Sequence, residues 1–497
     1  MHSPHAVLAT VMLCFLSWAA PSAAADATRE SVLQLHPGNP HCFLWRGKPT
    51  ILITSGEHYG SVLNLEFDNA KYLKTLEKYG FNLTRTFCGA SYLEPVGAFN
   101  IKENTLAPKA GRYLAPWARS DQPGAWDGGN KWDLTKWNED YFKRFRDFAT
   151  QAALRSVVIE VNLFCPFYED KKTRESAMWP LSPFNAANNI NGPGTVSGHD
   201  VYTLDKSGGL LAVQESFVRR IVEELKNFDN VYYEICNEPY FAGVTIEWQR
   251  HIADVISEAQ KDHPAKKLIS QNIANHTARI ENPHPAVSIF TFHYTYPPLA
   301  VEQNYALNKV IGENETGFRG TADEVYRNEA WDFLLAGGGL FNNLDYSFTS
   351  GHEDGSFAYP PSQPGGGGAS CHQQLAVLVK FMNGLDFVHL KPANKFVTGL
   401  AEGTSIRLLA NSGKEYAVYL HRSPAPAWKD NKKLNSGEFQ DTFTLEAPAA
   451  SYDMEWLDPE SGKTLGKETS RHAGGGLQIT SPEYTKDIAL HIKAVSL

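Results

Sequence analysis

Between residues 49 and 384 the chain alternates short apolar runs with stretches whose apolar residues recur every three or four positions. The runs are TILIT (50–54), NLTRTF (82–87), VVIEVNLF (157–164), NVYYEIC (230–236), KLISQNI (267–273), VSIFTFH (287–293), KVIGEN (309–314) and LFNNLDY (340–346). They are near-continuous rather than alternating, the pattern of strands buried on both faces. Between them, Leu210, Val213, Phe217, Ile221 and Leu225 fall three or four apart, with Val218 and Val222 widening the stripe. Trp248, Ile252, Val255, Ile256 and Ala259 do the same, so both stretches (209–227 and 245–260) read as amphipathic helices. The spacing predicts further helices over 66–79, 139–155, 299–307, 321–336 and 370–383, with room for only one turn at 275–285. Gly80 suits a left-handed cap on the first of them. Strand–helix units in such succession point to the α/β class, with a parallel sheet closed as a (β/α)8 TIM barrel. The alternative is an open doubly wound sheet. That fold normally has fewer strands and often a Gly-rich phosphate turn after the first, and no GxGxxG stands there.

After about residue 396 the helical period disappears. SIRLLA, KEYAVYLHR, DTFTLEA, YDMEWLD and DIALHIKA are strand-like runs separated by turn residues, which fits a small antiparallel β-sandwich over 396–497. PSQPGGGGAS (361–370) looks like a linker, but a helical pattern follows it, so it belongs to the loop after the eighth strand. Two connections are long, 89–137 and 165–208. Both leave the C-terminal ends of strands, where barrels carry their chemistry. Both are rich in Gly, Pro, Asn, Trp and Tyr, and long irregular loops in a compact domain are usually functional.

Composition narrows the class. The chain has 497 residues, 42% hydrophobic and 20% charged, enough to bury a core and too few charges for a disordered chain. The net charge of −9 argues against nucleic acid as a partner, which would require a basic stripe. The first 25 residues carry no charged side chain, are mostly apolar from His5 to Ala20, and end in Ala23-Ala24-Ala25 before Asp26. This reads as a secretory signal peptide, although the usual basic n-region is missing; an uncleaved anchor is the alternative. The expected division is therefore a signal peptide over 1–25, a barrel over 26–395 and the sandwich, in a secreted or periplasmic protein with no later membrane span. Five cysteines would remain, Cys42, Cys88, Cys165, Cys236 and Cys371, with no CxxC pair and no zinc-type His/Cys spacing. A structural metal is not expected. Cys88, Cys165 and Cys236 end apolar runs and read as buried small hydrophobes.

Asn237-Glu238-Pro239 stands at the end of the fourth run and Glu315-Thr316-Gly317 at the end of the seventh. Carboxylates on strands four and seven of a barrel face each other across its mouth, an arrangement that can break a glycosidic bond: one acid protonates the leaving oxygen while the other attacks the anomeric carbon. Glu313 also lies on the seventh run, and positions two apart on a strand share a face. Glu315, nearer the strand end and followed by x-Gly, is the preferred candidate.

With Asn-Glu on the fourth strand and Glu-x-Gly on the seventh, the stretch from about 40 to 385 resembles the clan A glycoside hydrolases, such as the family 5 cellulase-like enzymes. NPHCFLWRGKPTILITSGEHYG resembles the hairpin and first strand of such barrels. Residues 396–497, with DMEWLDPESGK, resemble the small "collagen-binding" β-domain that follows many bacterial barrels of this kind; no collagen ligand follows from the name. The resemblance implies a retaining enzyme without a cofactor, acting on a β-linked carbohydrate. Glu238 would be the acid/base, Glu315 the nucleophile, and Asn237 the partner of the sugar 2-hydroxyl. Arg85 would sit beside the nucleophile, where a guanidinium favours the charged carboxylate. His293, Tyr294 and Tyr296 match the His and Tyr flanking the site. The family spacing is His-x-Tyr whereas Tyr294 follows His293 directly, so either tyrosine is a candidate partner for the nucleophile. The eighth strand carries Asp345 and Tyr346 in place of the family's Trp platform, leaving Tyr346 or Phe348 as substitutes.

Glu57 and His58 are either substrate contacts or loop-bonding groups. Asn162 shares a face with Glu160 and is the better site-lining candidate. Asn272 and Asn275 could bond hydroxyls or cap turns, and His352, Glu353 and Asp354 form a polar cluster that could bind a metal but reads rather as a solvated loop. Trp117, Trp126, Trp132 and Trp179 could each stack on a sugar or simply pack. Sequons occur at Asn82, Asn275 and Asn314, the first and last inside predicted strands. Three other readings use the same residues or architecture: a transglycosidase, a non-catalytic carbohydrate-binding barrel, and a metal-dependent barrel hydrolase. The last would want His pairs at strand ends, which Glu57-His58 does not supply.

Overall fold

The computed structural model describes residues 31–88, 92–168, 178–422 and 437–495; the expected signal peptide lies outside them. Eight parallel strands form one sheet: β1 (Leu52–Gly56), β2 (Leu83–Phe87), β3 (Val158–Asn162), β4 (Val231–Glu234), β5 (Ile269–Asn275), β6 (Val287–His293), β7 (Val310–Thr316) and β8 (Leu340–Leu344). From β2 to β8 each pairs with its sequence neighbour, and β8 returns to pair with β1. The remaining seam, between β1 and β2, is closed by Asn82. Its backbone N donates to Ile53 O (3.2 Å), its Oδ1 accepts from Ile53 N (2.8 Å), and its Nδ2 donates to Ile51 O (2.9 Å). The sheet is thus a closed barrel rather than an open doubly wound one.

Helices α1 (Asn69–Tyr79), α2 (Glu139–Leu154), α3 (Leu210–Glu224), α4 (Ile246–Ala259), α5 (Leu299–Asn304), α6 (Asp323–Leu335) and α7 (Ala369–Asn383) lie between the strands and after β8. Their starts follow local chemistry. The carboxylate of Asp68 accepts from Lys71 N, and the hydroxyl of Thr245 accepts from Trp248 N, each satisfying a helix donor that has no partner within the helix. At the other end of α1, Gly80 takes φ 74°, a conformation that costs glycine little.

An N-terminal hairpin covers one end of the barrel. Leu33, Phe43 and Trp45 pack on Leu52, Leu83, Val158, Tyr232, Ile289, Val310 and Leu340, the lowest inward-facing residues of seven strands. The next layer up is polar and fully buried. Glu234 accepts from Arg85 Nε (2.9 Å) and Nη2 (2.6 Å), from Asn162 Nδ2 (2.7 Å) and from Asn314 Nδ2 (2.8 Å), and Asn314 Nδ2 also donates to Glu160 (2.9 Å). A barrel interior is usually filled by branched apolar side chains; this one carries ions halfway up.

The C-terminal region forms two antiparallel sheets around a separate core of Leu408, Val418, Leu445, Trp456, Ile479 and Leu490. Strands Thr464–His472 and Gly475–Thr480 leave little apolar signature in the sequence, because nearly all of the first and most of the second face solvent. This region docks on α6. Arg327 pairs with Asp487 (2.9 Å), Asn328 donates to Tyr419 (2.9 Å), and Asp332 meets Arg407 (3.1 Å) and His421 (3.2 Å). Every residue of α6 from Val325 to Leu335 is buried.

Candidate active site

A cavity opens at the C-terminal ends of the strands. It is lined by residues at or beyond the ends of seven of them, including His58, Tyr59, Glu94, Tyr168, Asn237, Glu238, Tyr294, Glu315, Phe318 and Leu344. Its interior is about 70 Å³, room for roughly five to seven waters at ~10–15 Å³ each. At ~30 Å³ of liquid per water that is the bulk of a single monosaccharide.

Glu315 and Glu238 face each other here. One oxygen of each, together with a nitrogen of His293, lies within 4.8 Å of the others. Glu315 accepts three hydrogen bonds: from Tyr294 OH (2.5 Å), Tyr59 OH (2.9 Å) and Arg85 Nη1 (3.3 Å). Glu238 accepts from Tyr168 OH (2.7 Å) and Tyr240 OH (3.2 Å), and His293 Nδ1 lies 3.3 Å away. Burial pushes the Glu238 carboxyl up, but the hydrogen bonds from His293, Tyr168 and Tyr240 and the charge of His293 outweigh it and hold the group below its usual range. Asn272 fixes the Glu238 backbone, its Oδ1 accepting from Glu238 N (3.1 Å). Asn237 accepts from Arg85 Nη2 (2.6 Å) and donates to Tyr168 (2.7 Å), tying the Glu315 side of the cavity to the Glu238 side.

Backbone strain collects at the same place. Tyr59, Phe99, Glu238, Tyr294 and Phe318 all line the cavity, and all have positive φ between 37° and 60°. Each such residue costs on the order of 1–3 kcal/mol and persists only where its surroundings impose it. Four of them follow a barrel strand within three or four residues, so the strain aims side chains that would otherwise continue the pleat.

Glu238, His293 and Glu315 are the one group of three His, Cys, Asp or Glu residues among the described residues whose atoms could converge on a metal. The carboxylate oxygens already accept hydrogen bonds from four tyrosines and Arg85. A cation would have to displace those donors and sit beside a guanidinium, so the donor set fits a metal poorly.

The residues singled out in the sequence divide into two sets. Glu238, Glu315, Asn237, Tyr294 and His58 line the cavity, and Arg85 and His293 touch its carboxylates from below. Four expected substrate contacts sit elsewhere. Tyr296 lies under the Arg319 guanidinium and near His421 of the C-terminal region, because the turn after β6 carries it past the mouth. Asn162 is spent on Glu234 inside the barrel. Glu57 is fully buried and accepts from Gly60 N, Ser61 N and Thr105 Oγ1, a loop-bonding role. Tyr346 is buried behind His58, the rings 5.6 Å apart, while Leu344 takes the place at the wall.

Glu313 and Glu315 do not share a face. The β6–β7 and β7–β8 registers both slip near them. Asn314 therefore points into the barrel. Glu313 accepts from Thr295 N (2.8 Å) and sits against Glu329 of α6, where burial first and the Glu329 charge second push its carboxyl far up. None of Trp117, Trp126, Trp132 and Trp179 lines the cavity; Trp117 and Trp132 are core residues. Glu353 accepts from Asp68 N and Gly351 N. Tyr59, Tyr168, Tyr240 and Glu94 were not legible beforehand. Tyr59, beside His58, and Tyr240, just after Asn237-Glu238-Pro239, stood next to residues already singled out. The five cysteines are buried thiols.

A family model described as "Domain of unknown function (DUF6298)" matches residues 104–278, which include Glu238 and exclude Glu315. No curated protein sequence matches the chain. Among solved structures, a glycoside hydrolase of family 5 from Bacteroides vulgatus superposes with a TM-score of 0.60 at 12% identity, over 94% of this chain and 95% of that one. A second structure, described as a glycoside hydrolase, gives a TM-score of 0.60 at 12% identity, over 94% of this chain and 98% of that one. What they share with this chain is the fold, barrel and C-terminal β-region together.

Proposed function

We propose that this protein is a glycoside hydrolase acting by double displacement on a β-type O-glycosidic bond. The observation carrying the reading is the approach of Glu238 and Glu315 oxygens to within 4.8 Å in one cavity. Retaining enzymes hold their carboxyl groups ~5–5.5 Å apart, whereas inverting enzymes need ~6.5–9.5 Å to admit a water; the 4.8 Å is a nearest-oxygen bound rather than a group-to-group separation, and an approach this short supports the retaining arrangement. The fold shared with the glycoside hydrolases above lends support by analogy only.

Glu315 is the nucleophile. It is the carboxylate beside the guanidinium, and Arg85 with two phenols holds it aimed into the cavity. Glu238 protonates the leaving oxygen and then, as the carboxylate, activates water against the glycosyl–Glu315 ester. Its first task needs a proton on a carboxyl whose donors favour the anion. A sugar filling the cavity removes the remaining water from Glu238 and so raises its proton affinity. His293, 3.3 Å from Glu238 and 3.5 Å from Glu315, is placed to pass that proton.

Product anomers followed by NMR test the reading: the first-formed sugar should keep its configuration, and initial inversion would overturn it. Activity should survive exhaustive chelation, because no step runs through a metal. In Glu238→Ala, azide should restore turnover of substrates with good leaving groups as the glycosyl azide. The apolar, uncharged residues 1–25 support export, and the secreted protein should begin at Asp26 on N-terminal sequencing.

A further inference from the structure

The cavity holds a third carboxylate that double displacement does not use. Glu94, in the loop after β2, accepts from Tyr92 OH (3.0 Å) on one oxygen and from Asn104 Nδ2 (2.5 Å) on the other, where His58 Nε2 also lies at 3.2 Å. A carboxylate offers about four acceptor positions; three are taken and the side chain lines the cavity. The partner is incomplete as well. His58 is 93% buried, and its Nδ1 has no hydrogen-bond partner. The hydroxyl of Tyr346, the next ring along, has none either.

These groups are held rigidly. Thr105 Oγ1 lies 2.7 Å from both Glu57 Oε2 and His58 O and shares its one hydroxyl proton between them, stitching the loop after β1 to the loop after β2. Gly60 passes so close to Thr105 that a Cβ there would fall 2.3 Å from its carbonyl oxygen. The open acceptor position of Glu94, held on this rigid frame, favours a ligand that can donate to it over one that cannot. The wall of loops after β1 and β2 therefore reads as a recognition surface, separate from the reacting pair, for a sugar ring seated in the cavity.

We propose that Glu94, braced by His58, selects the sugar: it accepts a hydrogen bond from a hydroxyl away from the anomeric carbon of one neutral ring, so that the protein removes single sugars from chain ends. This rests on the glycosidase reading and deepens it. Three carboxylates in one small cavity also exclude a uronic acid, whose own carboxylate would meet Glu94, Glu238 or Glu315.

The test uses the whole protein with matched aryl hexosides, aryl uronides and a monodeoxy series, together with reduced β-linked oligosaccharides. Wild type should release monosaccharide alone from the oligosaccharides and turn over the hexoside at least ~100-fold faster than the uronide. Glu94→Gln should lower kcat/KM about 10- to 100-fold on the parent hexoside, the range of one hydrogen bond to a charged group. On the analogue lacking the recognised hydroxyl it should cost nothing further. Release of longer fragments, or an equal Glu94→Gln loss across the deoxy series, would overturn the proposal. Monosaccharide binding to Glu315→Gln, read by calorimetry, supplies an arm that needs no turnover. Adding Glu94→Gln should weaken binding of the parent sugar and leave its deoxy analogue unchanged; unchanged parent binding rejects Glu94 as the selector. If wild type turns over nothing while this binding pattern holds, the reaction assigned to the site falls and Glu94 stands.

Discussion

The two ends of the barrel are built from the same eight strands and obey opposite rules. At the hairpin end, strand residues from Leu52 to Leu340 meet Leu33, Phe43 and Trp45 in a dry cluster. At the other end, within six residues of strand ends, stand two facing carboxylates, four tyrosine hydroxyls that donate to them and four positive-φ residues from different loops. Burial stabilises the first end through contact area. The second costs stability through strain and through buried charge that must be paired. Between them Arg85, Glu160, Glu234 and Asn314 form an ionic floor. The lesson is a division of labour along the strand axis: contacts at one end hold a geometry that the other end could not hold alone.

The largest test of this contrast is Glu315→Ala. It should abolish turnover by at least ~10³-fold while circular dichroism and melting temperature stay close to wild type, since the residue belongs to the strained end. The reverse experiment is Leu340→Ala. Urea unfolding should show a loss of about 2–5 kcal/mol, with kcat/KM unchanged at temperatures well below melting. Equal damage to stability and activity by either variant would collapse the distinction. A smaller effect should follow Tyr294→Phe, which removes a 2.5 Å bond to Glu315. A hydrogen bond to a charged group is worth about 1.5–3 kcal/mol, so kcat/KM should drop roughly 10- to 100-fold with Tyr296→Phe, outside the cavity, as the control.

The smallest effect concerns the floor. Burial, then the charge of Glu234, push the Glu160 carboxyl up to about 8 even though Arg85 pulls the other way. The folded state therefore keeps a proton that the unfolded chain has already lost. This site weakens the fold progressively as pH rises from near 4.5 toward 8, and has no effect below that window. Glu160→Gln keeps an oxygen for Asn314 and removes the titration. Its melting temperature should equal wild type at low pH and exceed it increasingly up to about pH 8. Parallel curves for the two proteins would mean that Glu160 stays ionised inside the barrel.

Much of this architecture was readable in one dimension. All eight runs are barrel strands, and the seven helical patterns are helices with ends shifted by no more than three residues, because a buried strand and an amphipathic helix each write their period into neighbouring positions. The candidate site was readable only in part. Glu238 and Glu315 stood out because strand ends are where barrels gather function. Tyr168, Tyr240 and Glu94 come from irregular loops with no period to betray them. The assumption that Glu313 and Glu315 share a face failed at Asn314, where the register slips and the pleat no longer alternates. Tyr296 was a reasonable candidate from spacing alone, yet the bend at Tyr294 (φ 51°) turns the chain away one residue after the useful hydroxyl.

What the amino-acid order determined by itself is the alternation of strands and helices, the polar character of the strand ends and the presence of two carboxylates among them, since each depends on residues a few positions apart. Only the tertiary structure decided which groups meet. Arg85 reaches Glu315 across 230 positions and Tyr59 reaches it across 256. Such contacts exist because the sheet closes on itself and the loops are stitched across its rim, and no local pattern of residues can encode a distance that closure alone creates.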